Sequence, residues 1–178
     1  FEDSIYVEGA PMSFFETNPK PLKLLLTQIH NGELALPDFQ RDFVWDPSAI
    51  EELIESIMRN YPAGSLLFLK HGGEGFQVRE FEGAPILKSQ MGTSYLVLDG
   101  QQRMTSLYQA FYGKGEHRFF LDIKELMESG DIEAAVWHES EKRCQRQGLL
   151  KIENQAEKLI CPLQVVMGEG FDSWIDSI

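Results

Sequence analysis

Apolar residues recur at helical spacing in three stretches of the chain, with short apolar runs between them. Leu22, Leu25, Leu26 and Ile29 form the first stripe, which Asn31-Gly32 closes. Ile50, Leu53, Ile54, Ile57 and Met58 form the second and strongest. Ahead of it, Asp46-Pro47 offers a capping acceptor followed by a proline in the first turn. Met104, Leu107, Tyr108 and Phe111 form the third, and Gly113 supplies its stop. The runs "LALP", "SLLFLK", "YLVL" and "HRFFLDI" predict strands, with "SLLFLK" read as a buried one. Tyr61-Pro62 breaks the second helix and Gly64 turns the chain.

The remaining stretches carry weaker patterns. Residues 1–21 read as irregular. The stretch from His71 to Ser94 has five glycines and reads as an insertion, with "FQVREFEG" as its extended piece. "KELMESGDIEAAVWHESEKRCQRQG" predicts helix broken near Gly130, and "LLKIENQAEKLICPLQVV" is ambiguous between states. Helices interleave with strands, so the expected class is a compact α+β (mixed α/β) domain. The organisation predicted is an irregular segment over 1–21, a core over 22–123, and a mostly helical extension over 124–178. The chain opens without Met and stops inside an amphipathic stretch, which reads as a piece of a longer protein.

Composition narrows the function. The 178 residues include 43 % hydrophobic and 11 % aromatic side chains, enough for a core. Sixteen Lys and Arg against 28 Asp and Glu give a net charge of −12, with pI near 4.7. Such a surface repels phosphate backbones and disfavours broad, non-specific nucleic-acid binding. Cys144 and Cys161 form no CxxC pair, which suits a reduced intracellular, cytoplasmic protein. No apolar run approaches the ~18 residues a membrane span requires, so no membrane partner is expected.

Two constellations carry candidate chemistry. In Asp99-Gly100-Gln101-Gln102-Arg103, a strand turns into a helix where free amides and the positive dipole end favour an anion. Gly100 allows close backbone approach, the two glutamines add donors, and Arg103 offers a planar fork for phosphate oxygens. Asp99 is placed to position Mg²⁺ or water. A purely structural reading of the same residues has Asp99 capping the helix and Arg103 solvated. The second constellation is the loop Asp38-Phe39-Gln40-Arg41-Asp42-Phe43-Val44-Trp45-Asp46. Arg41 between carboxylates and aromatics suits a phosphate clamp, and Phe39, Phe43 or Trp45 could stack on a base. Against this, the aromatics could fill the core while Arg41 makes a structural ion pair. The four histidines share no metal spacing, no HNH-like set is present, and "GKG" at 113–115 lacks the P-loop frame. Lys142, Arg143, Arg146 and Lys151 read as a solvated helix face.

Taken together, "LPDFQRDFVWDPSAIEELIESIMRNYPAGSLLFLK" and "YLVLDGQQRMTSLYQAFYG" closely resemble the N-terminal domain of GmrSD-type proteins, over roughly Leu22 to Phe120. The resemblance implies a ParB/sulfiredoxin-like fold, a small mixed sheet packed with helices, and a nucleotide pocket between the two loops. Carried over, Asp99, Gly100, Gln101, Gln102 and Arg103 would line the phosphate site, and Gln40 and Arg41 would close on it. Asp99 and Arg103 would be the catalytic pair.

The same resemblance implies an NTP-binding and NTP-hydrolysing regulator, with a nucleoside triphosphate and Mg²⁺ as cofactors. It would be coupled to an HNH nuclease module, in cis or in trans, in modification-dependent (type IV) DNA restriction and phage defence. DNA would then be a partner of the full-length protein or of a partner subunit. The rival reading is a non-catalytic ParB-like module that senses a nucleotide or a DNA backbone; a weaker one makes the domain itself a nuclease.

Overall fold

The computed structural model describes residues 19–71, 76–87, 92–168 and 170–178, so the expectation for residues 1–18 lies outside the described residues. Helix α1 (Leu22–His30) buries Leu25, Leu26 and Ile29 as its stripe demands. Strand β1 (Leu34–Pro37) is buried along its whole length. Helix α2 (Pro47–Met58) starts as predicted, with the Asp46 carboxylate accepting from the Ala49 amide at 3.1 Å. Strand β2 (Leu67–Lys70) and the two-residue β3 (Val78–Arg79) follow. Strand β4 (Tyr95–Asp99) then turns at Gly100 into α3 (Gln101–Tyr112).

These strands form a four-stranded sheet in the order β2-β4-β1-β3. The two central strands, β1 and β4, run parallel, with Leu34 opposite Tyr95 and Ala35 opposite Leu96. Both outer strands are antiparallel to their neighbours. Strand β2 is therefore an edge, and its residues are exposed or half-buried, which corrects the expectation of a buried strand: an apolar run does not by itself distinguish edge from centre.

The second half also departs from the expected helix. After β5 (His117–Asp122) come α4 (Ile123–Glu128), α5 (Ile132–Ala135), β6 (Val136–Ser140) and α6 (Glu141–Gln147). The residues Val136–Ser140, expected to be helical, pair antiparallel with β5 from Leu121↔Val136 to His117↔Ser140. The ambiguous stretch resolves into α7 (Ile152–Lys158), β7 (Ile160–Pro162) and α8 (Leu163–Val166), followed by α9 (Gly170–Ile175). Strand β7 pairs with the other side of β5, giving a second sheet in the order β6-β5-β7.

Helix α3 ties the halves together. All of its residues but Arg103 and Tyr112 are buried, which a one-sided stripe would not require. It packs on α1, α2, β5 and α8, and one core runs from Leu26 and Ile54 through Met104 and Tyr108 to Phe119, Val136 and Leu163. Expected and observed class agree: a mixed α+β domain, here with two small sheets packed against helices.

Candidate functional site

Parallel pairing of β1 and β4 decides where the two constellations go. Neighbouring strands that point the same way deliver their following loops to the same edge of the sheet, where open α/β sheets place ligands. The loop after Pro37 and the corner after Asp99 therefore meet. Between them lies a cleft of about 220 Å³ that holds all seven predicted site residues. Trp45 and Leu98 complete its wall.

The corner is built around a guanidinium. Gly100 sits at φ +92 as the residue that opens α3, a left-handed conformation that suits glycine. A Cβ there would meet the Leu66 side chain, and a Cβ on Gly64 (φ +86) would meet the Arg103 guanidinium. Arg103 fills this space, donating to the carbonyls of Ala63 at 2.6 Å and Ser65 at 2.8 Å, with Asp99 3.5 Å away. Asp99 does not cap the helix, and among the described residues no side chain does. The amides of the first helical residues thus have no intrahelical acceptor.

The loop is held by side-chain amides. Gln102 donates to the Asp42 carbonyl at 3.0 Å and accepts from the Val44 amide at 2.9 Å, so its carboxamide pairs with the loop as a strand would. Gln101 donates to the Arg41 carbonyl at 2.6 Å, and Gln40 donates to the Leu98 carbonyl at 3.0 Å. The three glutamine side chains therefore donate to main-chain carbonyls. Arg41 is different. Its side chain is exposed and makes no hydrogen bond or ion pair among the described residues.

Sequence reasoning missed Arg79. One of its terminal nitrogens donates to the carbonyls of both Gln40 and Arg41, each at 2.9 Å. It also missed the His138–Glu51 pair at 2.7 Å between β6 and α2. Neither pair has a spacing signal, because each partner comes from a distant element. Of the loop aromatics, Phe43 and Trp45 pack on the core, whereas Phe39 is 63 % exposed and edge-on to Phe76 at 5.6 Å. On α6, Lys142, Arg143 and Arg146 are exposed, and Arg143 pairs with Glu139 at 3.1 Å, as a solvated face should.

Among the described residues no three metal-ligand side chains cluster. Asp99, 70 % exposed in its side chain, presents a single carboxylate on the cleft rim. A single carboxylate could contribute one ligand to Mg²⁺, an ion that takes most of its shell from water and phosphate oxygens. Among the described residues no helix is long and apolar enough to cross a membrane.

Fold and cleft define an α+β domain that gathers two arginine-bearing segments beside an uncapped helix start. Residues 22–166 match the family described as "GmrSD restriction endonuclease, N-terminal domain", and the chain belongs to it. The match extends well past Phe120 and takes in β6 and β7. The chain is also similar to an uncharacterized protein of Methanocaldococcus jannaschii, 37 % identical over 163 residues. That alignment covers 81 % of this chain and 28 % of the relative, so the chain spans about a quarter of that protein's length.

Proposed function

We propose that this domain binds the phosphates of a nucleoside triphosphate in the cleft between the 38–46 loop and the start of α3. One observation carries the reading: Arg41, whose guanidinium has no hydrogen bond or ion pair among the described residues, shares a single cleft with Arg103 and the start of α3. Three sources of positive potential, two guanidinium groups and a helix start, converge there on a chain of net charge −12. A cleft of about 220 Å³ lies below the ~300–1,000 Å³ of whole small-molecule sites. It suits the polyphosphate part of a ligand.

In this reading Arg41 neutralises the phosphate oxygens directly. Arg103 contributes charge from its fixed seat, and the amides of Gln101, Gln102 and Arg103 donate to the same anion. Asp99 would hold Mg²⁺, which when bound supplies charge neutralisation for phosphoryl transfer. Family membership supports a place in a restriction or defence nuclease. There, hydrolysis would gate an HNH module, in cis or in trans, that acts on DNA. The acidic chain leaves the gripping of DNA to those other parts.

A second reading follows from Arg103. Its guanidinium is engaged by two carbonyls and by Asp99, so the cleft has little left to orient an attacking water. The domain would then sense a nucleotide without turning it over. A thermal-shift screen against ATP, GTP, CTP and UTP, with and without Mg²⁺, tests binding. A ligand at a hundredfold excess over Kd raises stability by about 2.7 kcal/mol. Absence of any shift defeats both readings, and binding without phosphate release selects the second.

A further inference from the structure

A second cleft, of about 290 Å³, shares one lining residue with the first, Trp45. Its balance of charge is opposite to that of the first. Phe43, Trp45 and Phe119 supply apolar walls, and Glu82, Glu116 and His117 supply its polar edge. Two arginines and one carboxylate, Asp99, edge the first cleft; two carboxylates, with no Lys or Arg among the lining residues, edge the second.

We propose that the second cleft is the nucleoside subsite for the ligand whose phosphates occupy the first, with Trp45 as the shared wall. The proposal rests on the phosphate-cleft reading and goes beyond it by fixing which end of the ligand goes where. A phosphate beside Glu82 and Glu116 meets like charge. A base there meets rings to stack on and carboxylate acceptors for its N–H donors. The phosphate cleft alone is too small for a whole nucleotide, and the second cleft supplies the missing room.

His117 suits the polar edge of a base site. Burial, and then the neighbouring His138 ring at 5.3 Å, hold its pKa below the ordinary 6.5, against the opposing pull of Glu116 and Glu139. At neutral pH the imidazole is uncharged, so one ring nitrogen donates and the other accepts. Gln109 also lines this cleft, and its Nε2 donates to the Glu82 carbonyl at 3.4 Å. Acceptors outnumber donors along the edge, which favours bases carrying an amino group.

Calorimetric titration of the 178-residue chain with Mg²⁺ tests this, using inorganic triphosphate and the four nucleoside triphosphates as probes. Stacking and edge contacts should make at least one nucleotide bind about five- to a hundredfold more tightly than inorganic triphosphate. His117→Ala and Glu116→Gln, at half-buried and exposed positions, should each erase much of that preference by weakening nucleotide binding alone. Arg41→Ala should weaken every probe. Equal affinity for inorganic triphosphate and all nucleotides overturns the nucleoside subsite while leaving the phosphate cleft standing. So does a nucleotide preference that neither cleft variant changes. Failure of every probe to bind, inorganic triphosphate included, removes the phosphate cleft itself and the subsite with it.

Discussion

Arg79 holds the backbone of Arg41: one terminal guanidinium nitrogen sits 2.9 Å from the Arg41 carbonyl and 2.9 Å from that of Gln40. A residue from a two-residue strand thus fixes the loop that carries a cleft guanidinium with no hydrogen bond or ion pair among the described residues. The Arg41 carbonyl accepts twice, from Arg79 and from Gln101, so the main chain is pinned while the side chain stays available.

Loosening that pin is the first prediction. Arg79→Met removes two charge-assisted bonds, each worth about 1.5–3 kcal/mol where fully formed, and lets the loop sample other positions. Nucleotide affinity should fall by roughly tenfold or more, and Arg79→Lys should recover part of it. Calorimetry on both variants reads this out. A loss that lysine does not begin to restore, together with a collapsed melting transition, would mean that Arg79 serves the fold alone.

Arg103 should show a mixed phenotype. Arg103→Ala removes donors to the Ala63 and Ser65 carbonyls as well as a cleft charge. We expect loss of nucleotide binding accompanied by a stability cost of about 2 kcal/mol in urea unfolding, given the net value of such bonds. Unchanged affinity for every nucleotide would count against a phosphate role for this residue.

Gly64→Ala strikes the same seat from the opposite side. The position has φ +86, and an added Cβ would meet the Arg103 guanidinium. Strain at a left-handed residue costs on the order of 1 kcal/mol or more, and the displaced guanidinium should weaken nucleotide binding too. A circular-dichroism melt and a titration on the same sample separate the two effects.

Asp46→Ala serves as a control in which stability falls and binding does not. The carboxylate caps α2 at the Ala49 amide and is not among the cleft residues. Loss of such a cap costs about 1 kcal/mol. A drop in nucleotide affinity larger than the drop in folded fraction would show that the α2 start also shapes the cleft.

Alkaline stability should report on Tyr108. Burial, with a smaller effect from Tyr112, pushes its phenol up to about 12, and its hydroxyl lies 3.0 Å from His30 Nδ1. The folded state keeps the proton where the unfolded chain, at the ordinary 10.0, would release it. The stabilisation is therefore complete below about pH 10 and is lost as pH rises toward 12. Tyr108→Phe should be less stable at neutral pH by about 1 kcal/mol for the lost hydrogen bond, and its stability should decline less above pH 10. Parallel declines for the two proteins would rule out the phenol as the cause.

How far the sequence carried varied by element. Helices α1, α2 and α3 were legible because each has a one-sided apolar stripe with a stop signal, and Asp46-Pro47 marks a start for a chemical reason. Strand β6 was not. Val136–Ser140 sits among helix-compatible residues, and its state is decided by pairing with β5, a tertiary effect that local propensity does not contain. The loop and the corner were each readable as anion-binding chemistry, and the family resemblance put them together. That Gln40, Gln101 and Gln102 spend their side chains on carbonyls was not readable, because a carboxamide fits a ligand and a main chain equally well. Arg79 was invisible for a similar reason: its partners lie 38 and 39 positions away.

The burial of α3 has a mechanical corollary. Gly100 opens the helix and Gly113 closes it, where the Gln164 side chain of α8 lies so close that any Cβ would collide with it. Twelve residues make a strut of about 18 Å, braced along its length by tightly fitted neighbours. The strut therefore sets the Gly100 corner and the α8 contact at Gly113 a fixed distance apart.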